Sequence, residues 1–231
     1  MKIYQKGFNY SQDGPGNRLV YHLQGCNFKC KWCSNPESMD FVGSSMVVSV
    51  DDMVAEAISC KPMFFDGGGV TLTGGEPTVQ FHEVKELLEK LSAAGINTAM
   101  ETNGSHPQLT ELDVDFLIMD FKHFDEERHK LWTCFSNQIT LDNFSKMAES
   151  GRQLLVRIPV INGVNAEPQG FVQCFKKYDC TNIKFEFLAY HEFGKNKWKE
   201  KYEIENGYVT QKIMADFKNT FNDNGLNVVR T

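Results

Sequence analysis

The stretch GVTLTGGEPTVQFHEVKELLEKLSAAGINTAMET (Gly69–Thr102) contains two short segments of strand character separated by one amphipathic segment. The apolar residues of the middle segment recur with the i, i+3, i+4, i+7 spacing of one helix face; they are Val84, Leu87, Leu88 and Leu91. Gly95 follows as the kind of residue that commonly ends a helix. Strand, helix and strand in this order predict parallel strands joined by a helix.

The same alternation continues on both sides of this stretch. Further strands are predicted at RLVYHLQ (18–24), DFLIMDFK (115–122), LLVRIPVI (154–161) and IKFEFLAY (183–190), with a terminal LNVV (226–229). Further helices are predicted at residues 51–60, with Asp51 or Asp52 as the cap and Met53, Val54, Ala57 and Ile58 on one face, and at 141–150, 167–178 and 208–222. Six parallel strands with outer helices favour an α/β fold, a partial (β/α)6 TIM-like barrel, in a single domain spanning residues 1–231.

The composition narrows the classes of function. The chain has 231 residues, of which 41% are hydrophobic, and a net charge of −6, which argues against nonspecific binding to nucleic acid. No segment approaches the roughly 18 consecutive apolar residues of a membrane span. The N-terminus lacks the apolar core of a signal peptide, so we expect a cytoplasmic protein, with a monomer as the default.

Three of the seven cysteines lie close together in HLQGCNFKCKWCSNPES (His22–Ser38), at Cys26, Cys30 and Cys33. They follow the first predicted parallel strand, and TGGEP, ETNG and DFKH follow or close the next three. Folds of this kind carry their chemistry at the C-terminal edge of the sheet, so these turns predict a site there. The other four cysteines are scattered, and we expect inert, partly buried thiols at Cys60, Cys134, Cys174 and Cys180.

The residues alone allow three interpretations of the cysteine triplet. A zinc site needs four ligands, and His22 could complete it, although His22 lies inside a predicted strand. Unligated thiols grouped by chance are a second interpretation. The third is an iron–sulfur cluster held by thiolates. Three thiolates would hold three corners of a four-iron cluster and leave one iron open, as a catalytic site requires.

Cys-x3-Cys-x-aromatic-Cys, with Trp32 in the aromatic position, resembles the signature of the radical S-adenosylmethionine superfamily. DGPGNR (13–18), the cysteine segment, GGGVTLTGGEP (67–77) and LAYHEFGKNKW (188–198) are similar, in that order, to glycyl-radical-enzyme activating enzymes. The similarity extends from about Ile3 to Val229. It implies a [4Fe–4S] cluster on Cys26, Cys30 and Cys33, whose open iron is chelated by the amino and carboxylate groups of S-adenosylmethionine.

The resemblance also assigns residues to the bound S-adenosylmethionine. The assigned contacts are Trp32 and Ser34 at the nucleoside, Gly74, Gly75 and Glu76 at the amine, Asp120 and Lys122 at the ribose and methionine parts, Arg157 near the sulfonium and carboxylate, and His191 at the adenosyl portion. Plain structural alternatives remain: a core aromatic at Trp32, an ordinary turn at TGGEP, a buried ion pair of Arg157 with Asp120 or Glu186, and a surface hydrogen bond at His191. No side chain is expected to act as a general acid or base.

Two positions depart from the family pattern. Some relatives carry Asp and bind a monovalent cation near the cofactor where this chain has Glu101 and Thr102, so the cation is expected only if the longer side chain allows it. Asn17 stands where relatives place an aliphatic residue. It lies near Asp13, in the element that meets the substrate peptide in the family.

By resemblance, an external donor reduces the cluster, one electron cleaves the sulfonium, and the 5′-deoxyadenosyl radical removes a hydrogen atom from a glycine of a partner enzyme. The expected partners are a glycyl radical enzyme, with the pyruvate formate-lyase type favoured, and a flavodoxin or ferredoxin-like electron donor. The connection between SNPESMDF and VVSVDD lacks the cysteine-rich ferredoxin-like insert of several relatives. Oxygen-sensitive groups imply anaerobic life. The alternatives are a radical enzyme that acts on a small molecule or peptide without forming a glycyl radical, and a zinc-bearing interaction protein.

Overall fold

The computed structural model describes residues 1–42 and 45–229. The chain divides into two compact units. Unit 1 contains Met1–Asn27, Asn35–Thr102 and Gln108–Ile118, and unit 2 contains Phe28–Ser34, Asn103–Pro107 and Met119–Thr231. The predicted single domain includes residues 43–44 and 230–231, which lie outside the described residues, and it stays a prediction.

Unit 1 contains the first five strands and two helices. Their bounds are β1 (Lys2–Tyr10), β2 (Asn17–Leu23), β3 (Met46–Val47), α1 (Val50–Ser59), β4 (Gly69–Gly74), α2 (Phe81–Ala93) and β5 (Asn97–Thr102). β1 pairs antiparallel with β2 and β3, whereas β2, β4 and β5 pair in parallel. The sequence did not predict β1, because its residues are mostly exposed and KIYQKGFNY has no buried apolar run.

The helices of unit 1 cover its parallel strands. The apolar periodicity predicted the buried face of α2 correctly, but only part of the buried face of α1. Val84, Leu87, Leu88 and Leu91 of α2 are buried, and Gly95 after it has a φ of +66°, as predicted. The predicted cap of α1 was wrong: Ser49 is the N-cap, and its hydroxyl accepts from the amide of Asp52 at 3.0 Å. Ile58 is also exposed, because the buried face of α1 is formed by Val50, Met53 and Ala57.

Strand β6 (Phe116–Asp120) begins in unit 1 and ends in unit 2. Most of unit 2 comes after β6 in the sequence. Its elements are α3 (Glu126–Thr133), α4 (Gln138–Ser150), β7 (Leu154–Val160), α5 (Pro168–Phe175), β8 (Ile183–Ala189), α6 (Gln211–Asp223) and β9 (Asn227–Val228). β7, β8 and β9 pair in parallel. The core of the unit is aromatic: the rings of Phe175 and Phe185 lie 4.9 Å apart, and those of Phe187 and Phe221 lie 4.8 Å apart.

Helix α3 was not predicted. Its sequence EERHKLWT is polar and buries only His129 and Thr133, so the apolar periodicity of a helix is absent. The helix is instead started by Asp125, whose carboxylate accepts from the amide of Arg128 at 2.8 Å.

The strands follow the order β3-β1-β2-β4-β5-β6-β7-β8-β9 in a nine-stranded sheet, so β3 and β9 end the order and the sheet is unclosed. The six predicted parallel strands are β2 and β4 to β8, and the terminal LNVV contains β9. The prediction of an α/β fold of partial-barrel class is confirmed. Within the described ranges, no helix is long and apolar enough to span a bilayer.

Candidate functional site

Cys26 follows β2 in unit 1, where backbone bonds hold the start of the cysteine loop. Gly25 has a φ of +101°, a conformation that favours glycine. Its amide donates to the carbonyl of Ser38 at 2.8 Å, and the amide of Cys26 donates to the carbonyl of Met39 at 3.1 Å. The segment after the cysteines therefore supports the backbone of the first one.

The Gly-Gly-Glu turn at the end of β4 lies against the same backbone. The amide of Gly75 donates to the carbonyl of Leu23 at 2.9 Å, and that of Glu76 donates to the carbonyl of Gly25 at 2.8 Å. A Cβ on Gly75 would lie 2.1 Å from the carbonyl oxygen of Gly25, and Gly74 has a φ of +109°. Both positions therefore require glycine, because the turn lies directly against the strand end that precedes Cys26.

Glu76 is a buried carboxylate, 1% exposed. Its Oε1 accepts from the amide and the hydroxyl of Thr78, at 3.0 and 2.6 Å, and from the hydroxyl of Thr102 at 2.7 Å. The neighbouring Glu101 accepts from the hydroxyl of Thr73 at 3.2 Å. These bonds hold the Glu76 carboxylate in one orientation.

Unit 2 holds the rest of the cysteine loop, Phe28–Ser34. The amide of Lys29 donates to the carbonyl of Thr133 at 2.8 Å, and that of Lys31 to the carbonyl of Trp132 at 3.1 Å. These carbonyls belong to the last turn of α3, where helix carbonyls lack partners within the helix. The unpredicted helix therefore supports the loop, a role for which the sequence offers no periodic signal.

The two later cysteines lie within a turn of this loop. The amide of Cys33 donates to the carbonyl of Cys30 at 3.0 Å. Cys30 is buried, Cys33 is half-buried, and Trp32 between them is 8% exposed. Trp32 is therefore an aromatic side chain of the interior, and Ser34, which ends the loop, is half-buried.

The charged residues predicted at later strands form ion pairs. Lys122 and Asp120 lie 2.8 Å apart, both half-buried, at the end of β6. Arg157 of β7 pairs with Glu186, which lies opposite it on β8, at 2.5 Å between Nε and Oε2. The structural alternative of an ion pair for Arg157 is thus realised with Glu186.

His191 follows β8 at the same strand edge of unit 2. Its ring stacks on that of Phe193, with centroids 4.1 Å apart, and its Nδ1 accepts from the Phe193 amide at 3.4 Å. Burial lowers the pKa of His191 below its ordinary value, which favours the neutral ring at pH 7.

Asp13 and Asn17 lie at the other end of β2 from Cys26, at the turn between β1 and β2. The hydroxyl of Thr71 donates to the carbonyl of Asp13 at 2.7 Å. The buried side-chain amide of Asn17 donates to the carbonyl of Met63 at 2.9 Å. The structure therefore explains Asn17 by its contact with the segment after α1, and the assignment of Asp13 to a substrate peptide stays a prediction.

The sequence model of the radical SAM superfamily matches residues 20–173, which include the end of β2, the cysteine loop, the Gly-Gly-Glu turn and β3 to β7. This match spans more than half of the chain. The chain belongs to the radical SAM superfamily. It is accordingly a radical SAM enzyme, an oxidoreductase, and membership implies a [4Fe–4S] cluster and S-adenosylmethionine.

Curated relatives of this radical SAM enzyme include pyruvate formate-lyase-activating enzymes. That of Staphylococcus epidermidis is 31% identical over 210 residues, covering 84% of each chain. That of Staphylococcus aureus is 31% identical over 209 residues, covering 84% of this chain and 83% of the relative.

Solved structures share its fold. A domain of pyruvate-formate lyase-activating enzyme from Bacteroides vulgatus superposes with a TM-score of 0.58 at 22% identity, covering 71% of this chain and 98% of that domain. A radical SAM methyltransferase from Sphaerobacter thermophilus gives a TM-score of 0.69 at 12% identity, covering 96% of this chain and 67% of the other.

The four cysteines outside the loop of this radical SAM enzyme are in no disulfide. Burial raises the pKa of Cys174 and Cys180 to about 11, which keeps both protonated and supports the prediction that they are inert. Cys134, predicted to be partly buried, is exposed. It has a φ of +60° and ends α3 as its left-handed cap, which directs it away from the core.

The cysteine loop has the donor chemistry of the cofactor that the radical SAM superfamily implies. Thiolates are the ligands of iron–sulfur clusters, and the loop carries three thiols with their backbone held by hydrogen bonds. In residues 1–42 and 45–229, no three or more His, Cys, Asp or Glu side chains are grouped so that they could hold a metal ion. Cys26, Cys30 and Cys33 therefore stay predicted ligands, on their chemistry and their position in the motif.

Proposed function

We propose that this radical SAM enzyme is a glycyl-radical-enzyme activating enzyme of the pyruvate formate-lyase type. The observation that carries the proposal is 31% identity to pyruvate formate-lyase-activating enzymes over 84% of the chain. Identity of this extent covers most of the chain rather than one short motif.

The proposed ligands of the [4Fe–4S] cluster are Cys26, Cys30 and Cys33, with S-adenosylmethionine at the open iron. When bound, these cofactors supply one electron and a carbon-centred radical that removes a hydrogen atom from glycine. The chain itself orients them and excludes competing hydrogen donors. The buried Trp32 and the hydrogen-bonded loop serve that purpose, because both limit the movement of the thiols.

Glu76 is the proposed partner of the S-adenosylmethionine amine. An ammonium group needs hydrogen-bond acceptors, and the amides of the turn are already donating to Leu23 and Gly25. The turn therefore offers its carbonyl oxygens and a carboxylate whose orientation Thr78 and Thr102 maintain. A carboxylate facing an ammonium forms a charge-assisted bond, which is stronger than a neutral one.

The remaining proposed contacts with S-adenosylmethionine come from unit 2 and from the two glycines of the turn. They are Trp32, Ser34, Gly74, Gly75, Asp120, Lys122, Arg157 and His191. The ion pairs of Lys122 with Asp120 and of Arg157 with Glu186 limit the rotamers of these side chains before any ligand binds. The neutral His191 ring suits contact with an uncharged nucleoside. None of these residues is assigned as a general acid or base.

The proposed partners are a glycyl radical enzyme and a flavodoxin or ferredoxin-like electron donor. An external donor is proposed because the four cysteines outside the loop are dispersed along the sequence and form no second cluster motif. We also propose a monomeric, cytoplasmic protein in which Asp13 contacts the substrate peptide. A monovalent cation at Glu101 and Thr102 is expected only if the longer side chain of Glu101 allows it.

Electron paramagnetic resonance of an activated partner tests this function. The protein is reconstituted anaerobically with iron and sulfide and mixed with S-adenosylmethionine, a reductant and a pyruvate formate-lyase type enzyme. We expect a glycyl radical signal and formation of 5′-deoxyadenosine. Replacing Cys26, Cys30 or Cys33 with Ala should abolish both, whereas Cys60→Ala should retain both, because Cys60 lies outside the loop.

Two results would contradict the proposal. Undiminished cleavage of S-adenosylmethionine in the three loop variants would show that these cysteines are not the cluster ligands. Formation of 5′-deoxyadenosine together with turnover of a small molecule or peptide, and without a radical on a glycyl radical enzyme, would instead establish the alternative radical SAM activity.

A further inference from the structure

The segment after β8, residues 190–202, contacts the end of the cysteine loop within unit 2. The indole Nε1 of Trp198 donates to the carbonyl of Cys33 at 3.1 Å. Gly194 lies so close that an added Cβ would be 2.5 Å from the Cα of Ser34 and 2.6 Å from the carbonyl oxygen of Cys33. The contact thus joins one specific side-chain donor to one specific backbone acceptor, with no space between the two backbones.

Other bonds hold the Trp198 side chain in place. Its ring contacts that of Tyr202 edge-on, with centroids 5.7 Å apart. The hydroxyls of Tyr202 and Tyr190 lie 2.8 Å apart, and Tyr190 is buried. The backbone amide of Trp198 donates to the carbonyl of Lys195 at 3.3 Å. The indole donor is therefore held from two sides.

Cys33 is hydrogen-bonded on both sides of its own Cα. Its amide donates to the carbonyl of Cys30, and its carbonyl accepts from Trp198. The first bond limits φ and the second limits ψ, so together they limit the directions in which the thiol can point. Groups that orient a metal ligand raise affinity because less freedom is lost when the metal binds.

We propose that Trp198 is a positioning residue for Cys33: its indole N–H holds the last cysteine of the loop ready to bind the cluster. This inference deepens the proposed function, on whose cluster ligands it rests. The competing explanation is that Trp198 only packs against Tyr202. The two explanations are distinguished by Trp198→Phe, which removes the indole N–H but keeps an aromatic ring.

The test compares Trp198→Phe with Trp132→Phe. Trp132 touches the same loop through its backbone carbonyl and through its ring, which lies 5.5 Å from Nζ of Lys31, and Phe retains both the carbonyl and an aromatic ring. Amide hydrogen exchange of residues 28–35 is measured on the apoprotein, and release of iron to a ferrous chelator is measured on the reconstituted protein. In Trp198→Phe we expect exchange about 5-fold faster and iron release about 10-fold faster, with Trp132→Phe equal to wild type.

A second variant disturbs the contact between residue 194 and the end of the cysteine loop and leaves the indole of Trp198 unchanged. Gly194→Ala places a methyl group against Ser34 and should accelerate both processes in the same direction. Wild-type rates in Trp198→Phe, or equal acceleration in Trp132→Phe, would overturn the proposal. Failure of the wild-type protein to take up iron would count against the proposed cluster, whereas the exchange measurement on the apoprotein would still decide the role of Trp198.

Discussion

Arg18 is fully buried in unit 1, where a guanidinium needs an acceptor for nearly every N–H. It donates six hydrogen bonds of 2.7 to 3.3 Å, to the carbonyls of Pro15, Gly67, Val70 and Asn97 and to the side chains of Thr71 and Asn97. Burial lowers the pKa of Arg18 to about 10, so it remains charged at pH 7. Arg18 thereby joins the turn before β2 to the starts of β4 and β5.

Replacing Arg18 with Met should therefore destabilise the protein strongly. The substitution leaves several buried carbonyls without donors, so we expect a loss of about 3 kcal/mol or more in the free energy of unfolding, measured in urea. Lys212→Met is the control, since Lys212 is exposed on α6, and its effect should stay within about 0.5 kcal/mol. A loss below about 1 kcal/mol for Arg18→Met would show that the six bonds contribute little.

At the scale of elements, short turns at strand ends determine where the site residues lie. The end of β4 turns against the end of β2, and the distance between the two backbones leaves no space for a side chain at Gly75. The connection from β6 to α3 is also tightly bonded. The amide of Asp125 donates to Nδ1 of the buried His123 at 2.9 Å, so the proton is on Nε2, which lies 3.2 Å from the carbonyl of Val164.

Gly75→Ala should displace the Gly-Gly-Glu turn. The new methyl group would meet the carbonyl of Gly25, so we expect S-adenosylmethionine to bind at least about 10-fold more weakly, measured by calorimetric titration of the reconstituted protein. Gly7→Ala is a matched control, because an added Cβ on Gly7 meets nothing within 4 Å. Equal affinity in Gly75→Ala and Gly7→Ala would exclude the turn from the binding site.

The stability of the protein should fall as the pH decreases from about 6.5 toward 4. Burial, and secondarily the charge of Arg128, lowers the pKa of His123 to about 4. The unfolded chain therefore takes up a proton that the folded chain excludes, which favours unfolding in this range. Urea unfolding at pH 7 and pH 5 should show a smaller pH dependence for His123→Gln than for wild type. His82→Gln, at an exposed position, should leave the dependence unchanged.

At the scale of the whole molecule, each unit has a buried core of its own. That of unit 1 includes Leu72, Leu87 and Met100, and that of unit 2 includes Phe175 and Phe185. The named core residues lie outside the cysteine loop, so we expect the cofactor to add stability to a chain that is already folded. A ligand that binds only the folded state raises the melting temperature.

Removal of the cluster should therefore lower the melting temperature without unfolding the chain at 25 °C. For a protein of this size we expect a decrease of at least about 5 °C, measured by anaerobic scanning calorimetry before and after chelation. Cys26→Ala, reconstituted in parallel, should melt near the temperature of the apoprotein. A chelated wild-type protein with an unchanged melting temperature would contradict cluster binding by the folded state.

The sequence by itself determined the six parallel strands, helix α2, and the family, because apolar periodicity and the spacing of three cysteines are local patterns. Tertiary structure alone decided the rest: the pairing of exposed β1, the polar helix α3 that supports the loop, the ion pair of Arg157 with Glu186, and the bond from Trp198 to Cys33. The residues of the last two contacts are separated by 29 and by 165 positions in the sequence, and no local pattern specifies which acceptor a distant donor will reach.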